Sequence, residues 1–289
     1  LKGKAPSALD AVIDFARALR MWYERIVLSF VFASIWWALG FVWAQVALVY
    51  PLMLIPASAV WAVAGAAIMS MANRAVHLED FELGAFFKDL KKRLLKYAGL
   101  FFLSVASLLL YIPLVLYLPT LNNFLGYAGF GICAWVGIFS FITVCYAAGI
   151  ITELDEGTFR AVRKGFLLMM DNPGYSLVCG ILLLMLAFIG YLLPMLSMTW
   201  SSWAYLVLVV IGVFMYGSVN AYYICFATRR LLRRYGLDRK TILDMAPVLK
   251  ALNIINYAPY VAEAAERADK DLLDQYRVRF SGALDLYSV

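Results

Sequence analysis

Histidine occurs once in the 289 residues, at His77, and charged side chains make up only 15% of the chain. Zinc hydrolysis needs clustered His, Cys or carboxylate ligands, so an HExxH-type centre is excluded. His77-Leu78-Glu79-Asp80 reads as a solvated turn, not a metal site. The four cysteines, Cys133, Cys145, Cys179 and Cys225, sit in long apolar runs without CxxC spacing. They predict no zinc site and no disulfide framework, and read as small core hydrophobes. No glycine-rich loop ends in Lys-Ser/Thr, which argues against a P-loop ATPase. Gly126, Gly129 and Gly131 resemble such a loop only superficially, because they open an apolar run; they are a candidate close-packing face. A serine nucleophile would find no base in the apolar segments. No catalytic residue, cofactor or metal is expected.

What the chain has in excess is apolar surface: 64% hydrophobic residues and a mean hydropathy of +0.80, far from soluble-globular norms. The expected class is all-α, a polytopic membrane protein with six transmembrane helices arranged as three hairpins. The spans fall at about 26–50, 57–72, 94–118, 126–152, 175–200 and 204–228. About 25 uncharged residues at ~1.5 Å each cross a hydrocarbon core of ~30 Å with some tilt. Pro51 and Pro56 predict a tight turn after the first span, and Pro113 predicts a kink or an early end in the third. Trp200 and Trp203 suit an interfacial aromatic belt between the last two spans.

Three segments outside the spans have helical patterning. Residues 8–24 place Leu9, Val12, Ala16, Leu19 and Tyr23 on one stripe and predict an interfacial amphipathic helix, forming an N-terminal unit over 1–25. In 81–100, Phe86, Leu90, Leu94 and Tyr97 share a face while Lys88, Lys91, Lys92 and Lys96 point elsewhere, so a helix lying along the membrane runs directly into span three. FRAVRKGFLLMM, from Phe159, echoes FKDLKKRLLKYA, from Phe87, and ends at the turn signal Asp171-Asn172-Pro173-Gly174. The membrane domain is expected over 26–234, followed by a helical cytoplasmic tail over 235–289 too short for a core of its own.

Lysines and arginines number five before span one, six between spans two and three, three between four and five, and eleven after six. Every charge therefore falls on one side of the six-span arrangement, and the other connections carry none. Since Lys/Arg-rich short loops stay cytoplasmic, both termini are expected there. The formal net charge of +6 belongs to one face and fits a bilayer partner with anionic headgroups, not nucleic acid. Lys88, Lys91, Lys92, Arg233 and Arg234 are candidate docking residues for a protein partner or a second copy of the chain.

Inside the spans the polar candidates are Gln45, Tyr216 and Asn220, which either hydrogen-bond across helices or border a small uncharged cavity. Ser58, Ala62, Ala66 and Ser70 recur every four residues and form a candidate helix-packing stripe of small side chains.

The aromatic-rich first span from Val27 to Trp43, the segment from Pro51 to Pro56 with Ala57-Ser58-Ala59, the basic helix from Phe87 to Lys96 and the basic helix from Arg160 to Gly174 together resemble the YesL-like family of six-span bacterial membrane proteins. The resemblance covers roughly 22–234. It implies a bacterial inner-membrane protein, often associated with carbohydrate uptake, and carries over no catalytic residue. The expected function is that of an integral accessory or scaffold subunit, not an enzyme, presenting a cytoplasmic docking surface. The alternative is a carrier or channel for a small uncharged solute such as a sugar.

Overall fold

Ser7 opens the first helix by a reciprocal cap: its hydroxyl accepts from the backbone N–H of Asp10, and its own N–H donates to the Asp10 carboxylate at 2.8 Å. Two donors that a helix start leaves unpaired are thereby satisfied. The computed structural model describes residues 5–32, 34, 35, 39, 54–77, 83–189 and 202–236. Over these the chain is all-α, with no strand among the described residues. In order come α1 (Ala8–Glu24), α2 (helical over 26–32), α3 (Leu54–Val76), α4 (Leu83–Tyr117), a 3-10 turn (Leu118–Leu121), α5 (Phe124–Leu154), α6 (Thr158–Asp171), α7 (Pro173–Ala187) and α8 (Ser202–Arg234). Gln45, the Trp200 position and the tail from 237 onward lie outside the described residues.

Among the described residues two helices are long and apolar enough to cross a membrane: α4 with its following turn, with a mean hydropathy of 2.3 over its most apolar stretch, and α5, with 2.0. A third candidate exists if α6 and α7 are taken as one broken span, bent by 112°. This is the extent to which the six expected spans are visible.

Several local expectations change. Pro113 does not end its helix: α4 continues past it to Tyr117. The expected turn at Pro56 is helix instead, because α3 already starts at Leu54 and a proline in the first turn removes an N–H that had no partner anyway. The two echoing basic segments take different geometries. FKDLKKRLLKYA is continuous with the apolar half of α4 in one helix of 35 residues. FRAVRKGFLLMM lies across its successor, since Pro173 pushes Asn172 out of helical backbone (φ −135°, ψ 57°) and starts α7 afresh.

Burial is concentrated towards the ends that carry the charges. In α5, Leu125, Tyr127, Ile132, Trp135 and Val136 are exposed, whereas Ile142, Tyr146, Ile150, Ile151 and Leu154 are buried. The core joins this second half of α5 to Met69, Met71 and Ala72 of α3, Tyr97 and Leu100 of α4, Cys179 and Leu183 of α7, and Tyr222, Tyr223 and Leu231 of α8. Ala62, Ala66 and Ser70 of the small-residue stripe are all fully buried, with α3 packed on α4 and α8; the side chain of Ser58 lies outside the described residues. The glycine face expected at the start of α5 is not a helix–helix contact. Gly126 and Gly129 press on Leu118 of the preceding turn, and a Cβ on Gly131 would meet nothing within 4 Å. The close crossings are elsewhere: a Cβ on Gly149 would fall inside the Thr228 side chain of α8, and one on Gly165 would come within 2.9 Å of the Thr143 carbonyl of α5.

Candidate functional site

The charged ends of the helices meet and bind one another. On one flank, α1 contributes Asp14, whose side chain is only 2% exposed. It lies on the face formed with Ala11 and Ala18, both fully buried, so small neighbours let the helix approach α7 and α8 closely. Arg230 of α8 binds Asp14 bidentately through Nε and Nη2 and reaches Asp10 with Nη1 at 2.9 Å. Tyr175, in the first turn of α7, donates to the same Asp14 carboxylate at 2.9 Å. The bidentate bond to Asp14 holds the Arg230 guanidinium more firmly protonated than usual. Tyr223 adds a hydrogen bond to the Ala11 carbonyl and an edge-on contact with Phe15.

The network continues around the molecule. Arg234 donates to Asn172 and to the Asp171 carbonyl, and the Tyr235 hydroxyl donates to the Asp171 carboxylate, closing α8 onto the α6–α7 joint. Arg229 caps the end of α3 at the Val76 carbonyl. His77 is not part of a solvated turn: its imidazole sits 2.8 Å from Glu153, whose side chain is buried at the end of α5. Arg74 approaches Asp89, joining α3 to α4. Asp155 takes the left-handed conformation that ends α5 (φ 55°) and binds both Lys92, at 2.6 Å, and Lys96, at 2.7 Å. Thr158 at the start of α6 donates to the Lys96 carbonyl. One ionic layer thus ties α1, α3, α4, α5, α6, α7 and α8 together.

Between α1 and α8 this layer holds a cleft of about 570 Å³. Arg17, Arg229, Arg230, Arg233 and Arg234 line it against Asp10 and Asp14, and Ser7 and Phe226 border it. Five guanidinium groups facing two carboxylates leave the lining with a net charge of +3.

The docking candidates divide accordingly. Lys88 and Lys91 are exposed on α4. Lys92 is 45% exposed but engaged with Asp155. Arg233 is exposed at the rim of the cleft, and Arg234 is half-buried there and bonded to Asn172. Of the in-membrane candidates, Asn220 is half-buried on α8 with its side-chain oxygen buried and without a hydrogen-bond partner; the side chains of Tyr216 and Gln45 lie outside the described residues. No group of three or more His, Cys, Asp or Glu side chains suited to a metal ion occurs among the described residues.

Sequence periodicity places Asp14 among the polar directions of α1 and so misses the cleft. The available signal was Ala11-x-x-Asp14-x-x-x-Ala18, an acid flanked at helical spacing by the smallest side chains, together with an arginine cluster at the end of the last apolar helix. No family model, curated protein or solved structure matches the chain.

Proposed function

We propose that the chain is an integral membrane accessory or scaffold subunit, with six spans and both termini cytoplasmic, whose ionic layer is a docking surface for a protein partner or a second copy. The observation that carries this reading is the mutual engagement of charged groups from α1, α3, α4, α5, α6 and α8 in one layer, to which α7 adds the Tyr175 hydroxyl, and next to which Lys88 and Lys91 remain exposed. A layer so cross-linked is rigid, and a rigid surface with projecting cations suits recognition more than turnover. The YesL-like motifs support a bacterial inner-membrane setting. Lysine-directed cross-linking in native membranes tests the proposal. Links from Lys88 and Lys91 to another polypeptide or to a second copy are expected, and their loss in Lys88→Glu/Lys91→Glu. Links confined to the chain itself would count against docking at this surface.

A carrier for a small uncharged solute is the second reading, favoured by the unpartnered Asn220 oxygen, since a buried acceptor without a donor attracts a polar ligand. Sugar flux into proteoliposomes that disappears in Asn220→Leu, with the melting temperature kept, would support it. No flux with the wild-type chain removes it.

A further inference from the structure

We infer that the arginine cleft between α1 and α8 binds the phosphate of an anionic phospholipid headgroup, whose acyl chains run over the outward face of α1. This goes beyond the docking reading and does not depend on it.

The first support is charge. Asp10 and Asp14 both spend carboxylate oxygens on Arg230, and Arg17 reaches Asp14 at 3.4 Å, so two acids and two arginines balance one another at the back of the cleft. Arg229, Arg233 and Arg234 then set the sign of the lining at +3. Arg17, which meets Asp14 through Nη1 alone and is 58% exposed, and the exposed Arg233 stand at the rim, where an incoming anion reaches their outward faces. Arg234, held at Nη1 by Asn172, has its Nε buried without a hydrogen-bond partner. Planar guanidinium forks suit phosphate oxygens bidentately, which a lysine cannot imitate.

The second support distinguishes a lipid from a soluble anion. At about 100° per residue, Leu9, Val12, Ala16, Leu19 and Tyr23 fall within an arc of about 80° on α1, opposite the Ala11, Asp14 and Ala18 face that packs on the bundle. Leu9 and Tyr23 on this stripe are 67% and 72% exposed. Asp10, Arg17 and Glu24 occupy one edge between the two faces, and the cleft opens on that edge through Asp10 and Arg17. A ligand with a phosphate at the charged edge and hydrocarbon against the apolar stripe satisfies both. Inorganic phosphate would leave the stripe uncovered.

The test titrates the purified full-length chain in detergent with dihexanoyl phosphatidylglycerol, dihexanoyl phosphatidylcholine and sodium phosphate, reading Kd by calorimetry. Saturable phosphatidylglycerol binding is expected, about tenfold or more tighter than either of the others, with a similar loss in Arg17→Gln/Arg233→Gln, in which charge-assisted bonds are removed while the Asp14–Arg230 pair is spared. Lys88→Gln/Lys91→Gln removes equal charge from the same layer away from the cleft and should bind as wild type does. Should the arginine double variant fail to fold, Arg17→Lys/Arg233→Lys keeps the charge, loses the fork, and is expected to bind several-fold more weakly. Three results would each overturn the assignment: unchanged affinity in the arginine variants, equal weakening in the lysine control, or phosphate binding as tightly as the lipid.

Discussion

Asp14 and Arg230 show how much of one side chain's energetics depends on its partner. A carboxylate removed from water costs several kcal/mol unless its oxygens are met by donors, and here Arg230 and Tyr175 meet them. Arg230→Leu should therefore destabilise the chain by about 3–5 kcal/mol, because a buried charge loses its main partner; thermal unfolding in detergent measures it. Tyr235 sets an alkaline limit. Burial first, and then its hydrogen bond to Asp171, push the phenol above its ordinary value of 10.0. The neutral, donating form is the one the fold favours, so its contribution is complete below pH 10 and is lost as pH rises through the raised value. Melting temperatures of wild type and Tyr235→Phe should accordingly converge above pH 10 and diverge below it. Neither residue was legible as a site. Hydropathy periodicity sorts residues by polarity, and a buried acid looks identical to a solvated one until its counter-ion, here 216 residues away, is placed beside it.

At the scale of elements, long apolar runs and their basic lead-ins were readable because periodicity and charge are local properties. The junctions were readable only where one residue dictates the backbone, as Pro173 does at the α6–α7 joint. Pro113 shows the limit: a proline removes one backbone hydrogen bond from its turn, yet α4 runs on past it to Tyr117. Glycines were the least legible, since Gly126, Gly131 and Gly165 look alike in sequence and differ in what lies opposite. Gly165→Ala should push α6 off the backbone of α5 and cost about 1–3 kcal/mol. Gly131→Ala, with open space around it, should be neutral or stabilising by up to about 1 kcal/mol through helix propensity. Chemical denaturation of the two variants side by side gives the comparison.

For the whole molecule, the one-sided distribution of charge in the sequence becomes a layer in which oppositely charged groups from distant segments are paired. The six-span reading of the sequence puts the charges on one side but does not say that they bind one another, because pairing is a property of the assembled helices. Cysteines introduced one at a time at Lys91 and Thr120, in a Cys133→Ala background whose other three cysteines are buried, test the proposed topology: it predicts that Lys91→Cys reacts with an impermeant maleimide only from the cytoplasmic side and Thr120→Cys only from the opposite side, and labelling of both from the same side would overturn it. The ties of this layer end on α4 near Tyr97, and about 30 Å of that helix, at ~1.5 Å per residue, extend beyond them to Tyr117. The Tyr111 hydroxyl, bonded to the Cys133 carbonyl, braces the arm to α5. Mechanically, the pair is a mast stepped at one end: each degree of lean at the base displaces the tip by about 0.5 Å over that length. A lateral load from the surrounding lipid at the tip therefore arrives at Asp155, Lys92 and Lys96 as a torque.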